Sequence, residues 1–375
     1  MYLKQTILLI SCLPLVISCA RSTSTDNDNE REPVESDWLI ADHEVIDGGP
    51  GKDGIPSIDD PVFSPAHTVD YVQDERLIIG VKIGDEIKAY THQVLDWHEV
   101  VNDHMGNFHY SLTYCPLTGT GIAWDRTIDG KVTEFGVSGL LYRNNLIAYD
   151  RNTETNWSQM QIRAVNGPLS GERLPTFHTV ETTWETWKEM YPNSQVITTK
   201  TGYSRPYNDY AYGRLYLTNH DYTLFSIKHE NDRLPNKTLV HAALIGGEVA
   251  SDKADVRVYP INEMSDSIRV INETYSSKKL VAAGSASDHF TVSFYRTLDD
   301  GTILHFEPIQ GGLPVIMKDQ EGNSWNIFGE AVNGPRTGEK LNSTTSYNGY
   351  WFAIADFYPL ACIHPQAECT DLIDK

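Results

Sequence analysis

The sequence predicts a β-rich α+β body built from two tandem, degenerate repeats packed about a pseudo-twofold axis. Three observations lead there. The first is that the chain resembles itself. Val100-Val-Asn-Asp103 parallels Val270-Ile-Asn-Glu273, and Arg126-Thr-Ile-Asp129 parallels Arg296-Thr-Leu-Asp299. Ala164-Val-Asn-Gly-Pro168 returns unchanged at Ala331-Val-Asn-Gly-Pro335, and Trp184 and Tyr191-Pro192 return as Trp351 and Tyr358-Pro359. The order is kept and the offset stays between 167 and 171 residues, which points to duplication. The second observation is a series of short runs with strand-like alternation bounded by turn residues. The third is one clear helix signal in each copy.

The elements follow in chain order. Residues 1–18 read as a signal peptide: Lys4 opens it, and the apolar run Ile7 to Ile17 is short for a bilayer span. Val16-Ile17-Ser18-Cys19 resembles a bacterial lipobox, which implies cleavage after Ser18 and acylation of Cys19. The plainer alternative is a secretory signal with a chance cysteine. Two or three acyl chains on one residue anchor stably where a single chain does not. Ala20, rather than Asp, points by the sorting rule of enteric-type bacteria to the outer membrane, facing the periplasm. Residues 19–40 then form the lipidated cysteine and an acidic, flexible tether. Residues 41–197 are the first repeat, 198–253 a connecting segment, 254–360 the second repeat and 361–375 a tail.

Within the first repeat, Phe108 to Tyr114, Gly121 to Asp125 and Leu146 to Tyr149 are strand candidates. Asp129-Gly130 is a hairpin turn signal, with Asp300-Gly301 as its counterpart. Thr182-x-x-Glu185 has the form of a capping box ahead of a helix with Trp184, Trp187 and Tyr191 on one face, and Pro192 ends it.

Charge narrows the function. Among 375 residues, 30 Lys and Arg oppose 51 Asp and Glu, a net charge of −21. Phosphate backbones would repel such a surface, which excludes nucleic acid as a partner and leaves the membrane, through Cys19, as the expected one. Cys12 leaves with the signal, so Cys115, Cys362 and Cys369 remain. Only six residues separate Cys362 from Cys369, and a local disulfide is the simple reading; a Cys362/His364/Cys369 metal corner is the sharper one. Cys115 is then the lone thiol.

The copies differ where chemistry belongs. Asp96-Trp97-His98-Glu99 faces Asp266-Ser267-Ile268-Arg269 in the second copy, and Tyr114-Cys115-Pro116-Leu117 has no thiol-bearing counterpart. Leu140-Leu-Tyr142-Arg143 matches only a shorter Gly311-Gly312-Leu313.

The stretches GGPGKDGIPSIDDPVF, LDWHEVVND, TYCPLTGTGIAWDR, FGVSGLLYRNNLIAYDR, NWSQ and WFAIADFYP resemble the family called domain of unknown function 3179, from about Ala41 to Pro359. The resemblance carries architecture and location rather than a reaction. Family members commonly read Cys-Pro-Leu-Cys where this chain has Cys115-Pro116-Leu117-Thr118, so a two-thiol redox or two-thiolate metal mechanism cannot operate here.

Three functions compete for His98, Glu99 and Cys115. Imidazole and thiolate suit a transition metal such as copper, zinc or iron, held by His98 and Cys115. Cys115 with His98 as base and Glu99 as orienter supplies the residue types of a cysteine nucleophile. A non-enzymatic binding or interaction protein would use the glycine-rich loop 48–54 and an expected lining of Trp97, Tyr114, Tyr142, Arg143, Trp157 and Gln159. The bland reading is a buried small hydrophobe at Cys115 and a satisfied core His98. His98-Glu99-x-x-Asn102 misses the second His of a zincin, and Gly136-Val-Ser138-Gly139 is no nucleophile elbow.

Overall fold

Short antiparallel strands, most joined by tight turns, make up the body. The computed structural model describes residues 37–246, 253–366 and 369. The expected signal peptide, Cys19 and nearly all of the tether lie outside them. Turn chemistry sets the strand order. Gly106 (φ 54°) closes Val100–Met105 onto Phe108–Cys115. Asp129-Gly130 (φ 49° and 73°) and Arg143-Asn144 (φ 48° and 65°) have two left-handed residues each, as I′ hairpin turns require. The Arg143-Asn144 turn joins Phe135–Tyr142 to Asn145–Asp150.

Three larger sheets and the two-stranded hairpin Thr127–Ile128, Lys131–Val132 form the described N-terminal half. One runs Val45–Asp47, Phe135–Tyr142, Asn145–Asp150, Asn156–Ser158, Arg163–Asn166. A second runs Thr176–Phe177, Thr120–Asp125, Phe108–Cys115, Val100–Met105. The third places Leu77–Ile83 and Glu86–Thr91 at its centre, and its one parallel pair is Gln195–Ile197 beside Glu86–Thr91. The C-terminal half adds a four-stranded sheet around Leu239–Gly246, the meander Arg269–Tyr275, Lys278–Ser285, Phe290–Tyr295, and a sheet that ends in Ala331–Asn333.

The expected α+β class is corrected to a β-rich fold. The described α-helices are α1 (His92–His98), α2 (Trp184–Met190), α3 (Arg214–Thr218) and α4 (Trp351–Phe357), none longer than seven residues. The two tandem repeats about a pseudo-twofold axis are not found either. The residues from Asp37 onward cluster as one compact unit. One core joins Trp124, Phe135 and Trp157 to Val240, Tyr347 and Trp351; another joins Ile78, Trp184 and Trp187 to Val281, Phe294 and Trp325. Each of these two cores draws on both halves, while a third, around Ile79, Tyr90, Leu95 and Leu112, is built from the N-terminal half alone. The matching Ala-Val-Asn tripeptides edge two different sheets.

The helix signal is displaced by one residue. Thr183, not Thr182, caps α2 by accepting a hydrogen bond from the Thr186 amide. Thr182 belongs to the preceding strand and its hydroxyl donates to the Asp288 carbonyl. Every residue of α4 is buried, which suits a helix apolar almost all round.

A buried polar seam ties the halves together. Asn348 Nδ2 donates to Glu181 Oε1 at 3.3 Å, so its Oδ1 faces His241 Nδ1 at 3.0 Å. His241 Nδ1 therefore carries the proton, and Nε2 accepts from Ser293 Oγ at 2.8 Å. Burial pushes His241 down to about 4, so it is neutral throughout the physiological range.

Candidate functional site

The site begins at the end of α1. Glu99 caps this helix in the left-handed region, at φ 57° and ψ −29°, with its amide bonded to the Leu95 carbonyl. That conformation costs a non-glycine residue about 1 kcal/mol. It turns the chain sharply from helix into strand and sends the side chains of the Asp-Trp-His-Glu run in different directions.

Trp97 Nε1 donates to the Asp209 carbonyl at 3.0 Å. His98 is fully buried, and its two ring nitrogens meet Pro56 O and Tyr207 Oη at 2.8 Å each. The Pro56 carbonyl only accepts, so Nδ1 bears the proton and Nε2 accepts from Tyr207. Burial lowers the His98 pKa, which keeps the ring neutral. Glu99 turns the other way. Its Oε1 accepts from Tyr212 Oη at 2.8 Å, and among the described residues no cation is paired with it. Burial pushes its carboxyl up to about 7; the Tyr212 hydrogen bond opposes this and the charge of Asp96 reinforces it. Asp96 is also pushed up to about 7, by burial, and its Oδ1 has no hydrogen-bond partner.

A tyrosine-rich strap covers these groups. The segment from Tyr203 to Tyr222 holds six tyrosines. Tyr210 Oη donates to Pro116 O at 2.8 Å, and Tyr216 Oη donates to Leu117 O. The strap's far end is pinned to α4, where the Asp356 carboxylate accepts from the amides of Lys228 (3.2 Å) and His229 (2.9 Å). The LDWHE and CPLT stretches are thus the surface on which the strap lies.

Glu99 and Tyr212 form the polar corner of a small cavity whose other walls are apolar: Pro50, Ile55, Leu117, Val137, Leu141 and Leu146. Its volume, taken as the space open to the centre of a water molecule, is about 40 Å³. One water needs roughly 10–15 Å³ on that measure, so the space suits about three waters or a ligand of a few heavy atoms. The glycine-rich loop makes one wall by lying directly on a strand: Gly48 N donates to Gly139 O at 2.8 Å and Asp53 N to Val137 O at 2.9 Å. A Cβ on Gly139 would stand 2.5 Å from the Gly51 backbone, so that position excludes any side chain. Leu224 and Phe225 part the cavity from a wide outer groove, of about 590 Å³, that Glu44, Arg143 and Lys228 help to line.

Cys115 lies beside the cavity, buried, with Sγ 3.7 Å from Asn144 O. Burial first, and the nearby Glu99 charge second, push its thiol up to about 11. It is a neutral thiol at physiological pH.

The structure brings Glu99 and Cys115 together and separates His98 from both. The expected His98–Cys115 pairing is corrected: both His98 nitrogens are engaged elsewhere, so the ring neither serves as base for this thiol nor shares a metal with it. Among the described residues no group of three or more His, Cys, Asp and Glu side chains is placed to hold a metal ion. Cys362 and Cys369 are joined as a disulfide, which removes both sulfurs from the proposed metal corner. His364 Nδ1 lies instead against Arg257 and Glu273, at 3.1 and 3.4 Å.

The expected lining is also corrected. Trp157 is a core residue whose indole donates to Asp150 Oδ2, just as Trp325 donates to Asp319 Oδ2. Gln159 is fully buried and saturated by Thr113, Thr120 and Asn145. Tyr114 bonds His92 at 3.1 Å, and Tyr142 packs edge-on against Phe357. Arg143 pairs with Glu44 at 2.9 Å in the outer groove, and Trp97 fastens the strap. Sequence reasoning missed Asp96, Tyr207, Tyr210, Tyr212 and Tyr216. The tyrosine density of the connecting segment was the available signal.

No match was found among curated proteins or among solved structures. A family model does match, over residues 52–361, and its description is "Protein of unknown function (DUF3179)". That span takes in the end of the glycine-rich loop, α1, the strap, most of both cores and α4, and the chain belongs to this family.

Proposed function

We propose that this chain is a binding protein of the bacterial envelope, tethered through lipid on Cys19, that holds a small amphipathic ligand in the cavity under the tyrosine strap. One observation carries the reading. Glu99 is an ionisable group that lines a small, otherwise apolar cavity, with one hydroxyl as partner and, among the described residues, no cation. Burying a carboxyl in this way costs stability unless something compensates, and a strongly perturbed group in a cleft is a functional-site candidate. The neutral thiol of Cys115 and the engaged ring of His98 favour binding over nucleophilic catalysis.

The test is a thermal-shift screen of the full-length chain against short alcohols, carboxylic acids and amines. At least one class is expected to raise Tm with saturation, as ligand binding to the folded state requires. Leu117→Phe, which fills the cavity, is expected to remove the effect. If no class raises Tm, or if Leu117→Phe responds like the wild type, the cavity is not a binding site.

A further inference from the structure

We infer that the ligand class of this cavity is a small alkylammonium ion, bound with its charged end on Glu99 and its alkyl end among the leucines. The inference rests on the cavity reading above and goes further by naming the chemistry.

Two buried carboxyls, Asp96 and Glu99, stand three residues apart, and neither forms an ion pair among the described residues. Arg76 and His92 act on Asp96 at a distance; no cation is among the groups that act on Glu99. In the ligand-free protein the Glu99 proton has one place to sit. Oε1 already accepts from Tyr212, so the proton is on Oε2, the oxygen left for the cavity. An ammonium group is the partner that replaces this proton charge for charge: it donates to Oε2, and the proton leaves to solvent.

The surroundings suit a cation. Tyr212 puts an aromatic ring in the cavity wall, and aromatic rings attract desolvated cations. Tyr210 and Tyr216 back it, with ring centroids 6.1 and 6.4 Å from its own, and Tyr216 already carries Lys237 over its ring. Leu117, Leu141 and Leu146 offer the opposite end of the ligand nothing but carbon. A net charge of −21 raises the local concentration of cations around the molecule. A carboxylate ligand would face Glu99 with like charge, and an alcohol would leave the carboxyl protonated and gain only a neutral hydrogen bond.

The experiment is a methyl-labelled NMR titration of the full-length chain with ethylamine and with ethanol, each of three heavy atoms. A ligand of that size reaches a Kd of roughly 1 mM at best. Ethylamine is expected to shift the methyls of Leu117, Leu141 and Leu146 and to bind at least tenfold more tightly than ethanol at pH 8. Its affinity is expected to rise about tenfold per pH unit between pH 5 and 7 and to level off above 7, because binding displaces one proton. Glu99→Gln is expected to lose ethylamine and keep ethanol. Should that variant not fold, the pH series on the wild type decides. Ethanol binding as tightly as ethylamine, or ethylamine binding without pH dependence, overturns the ammonium assignment and leaves the cavity reading intact. If neither compound shifts these methyls, both fall.

Discussion

At the scale of single residues, Glu99 is the centre of the site. Its carboxyl lies at about 7 in the fold against 4.5 for an ordinary one. A raised acid stabilises the fold while it is protonated. That stability is fully present below about pH 4.5 and is lost as pH rises through 7. For Glu99 it amounts to roughly 3 kcal/mol, and Asp96, raised from 3.8 to about 7, acts in the same direction. The buried histidines, His98 and His241 among them, have lowered pKa values and act in the opposite sense, so the measure is the difference between wild type and Glu99→Gln. In denaturant unfolding the wild type is expected to lose roughly 2–3 kcal/mol relative to Glu99→Gln between pH 5 and pH 8. A difference between the two proteins that does not change from pH 5 to 8 would contradict the assignment. Cys115 gives a second test at this scale. Its raised pKa and burial predict alkylation by iodoacetamide many times slower than a free cysteine at pH 7. Rapid labelling of the folded chain would restore the nucleophile.

The contrast between the two sequence copies singled out His98, Glu99 and Cys115. It could not give their directions. His98 and Glu99 are neighbours, yet the left-handed turn at 99 sends one side chain toward Pro56 and Tyr207 and the other into the cavity. No periodicity in the sequence announces a non-glycine residue at positive φ.

At the scale of elements, the strap is what the sequence hid. Of the segment 198–253, which read as a connector, Leu239–Gly246 is a strand of the C-terminal half; the strap before it has no strand and, beyond the five-residue α3, no helix. Its order comes from hydroxyls that bond the carbonyls of the Cys115–Leu117 turn. Tyr210→Phe and Tyr216→Phe would each leave a buried carbonyl unsatisfied, at about 1–3 kcal/mol. The double variant is expected to be cut faster by protease within residues 199–236, with the strands of the described body as protected as in the wild type. Equal cleavage of variant and wild type would show that these hydroxyls do not hold the strap. Helix α2, by contrast, was legible from its tryptophans, with its cap read one residue early at Thr182. Thr183→Ala is expected to cost about 1 kcal/mol in urea titration and Thr182→Ala to act through the Asp288 carbonyl instead.

At the scale of the whole molecule, the strands and hairpin turns follow from local residue chemistry, whereas the way the halves share their cores does not. Trp184 and Trp187 come from one half and Trp325 from the other, yet they close a single core. Sequence similarity between stretches says nothing about which face each strand buries against which neighbour. Calorimetry is accordingly expected to give one transition for the folded body, and Trp325→Ala to lower it as a whole at a cost of about 3–5 kcal/mol. Two separate transitions would restore independent repeats. The envelope anchor belongs to this scale as well: cells expressing the chain are expected to incorporate labelled palmitate, and Cys19→Ser to abolish it.

The account stands most directly on the protonation of one carboxyl. A carbon-13 NMR pH titration of the Glu99 side-chain carboxyl, assigned by its loss in Glu99→Gln, measures it without any ligand. A midpoint near 7 is the expected result; a midpoint near 4.5, where a solvated glutamate titrates, would contradict the buried carboxyl, without a cation among the described residues, on which the binding proposal rests.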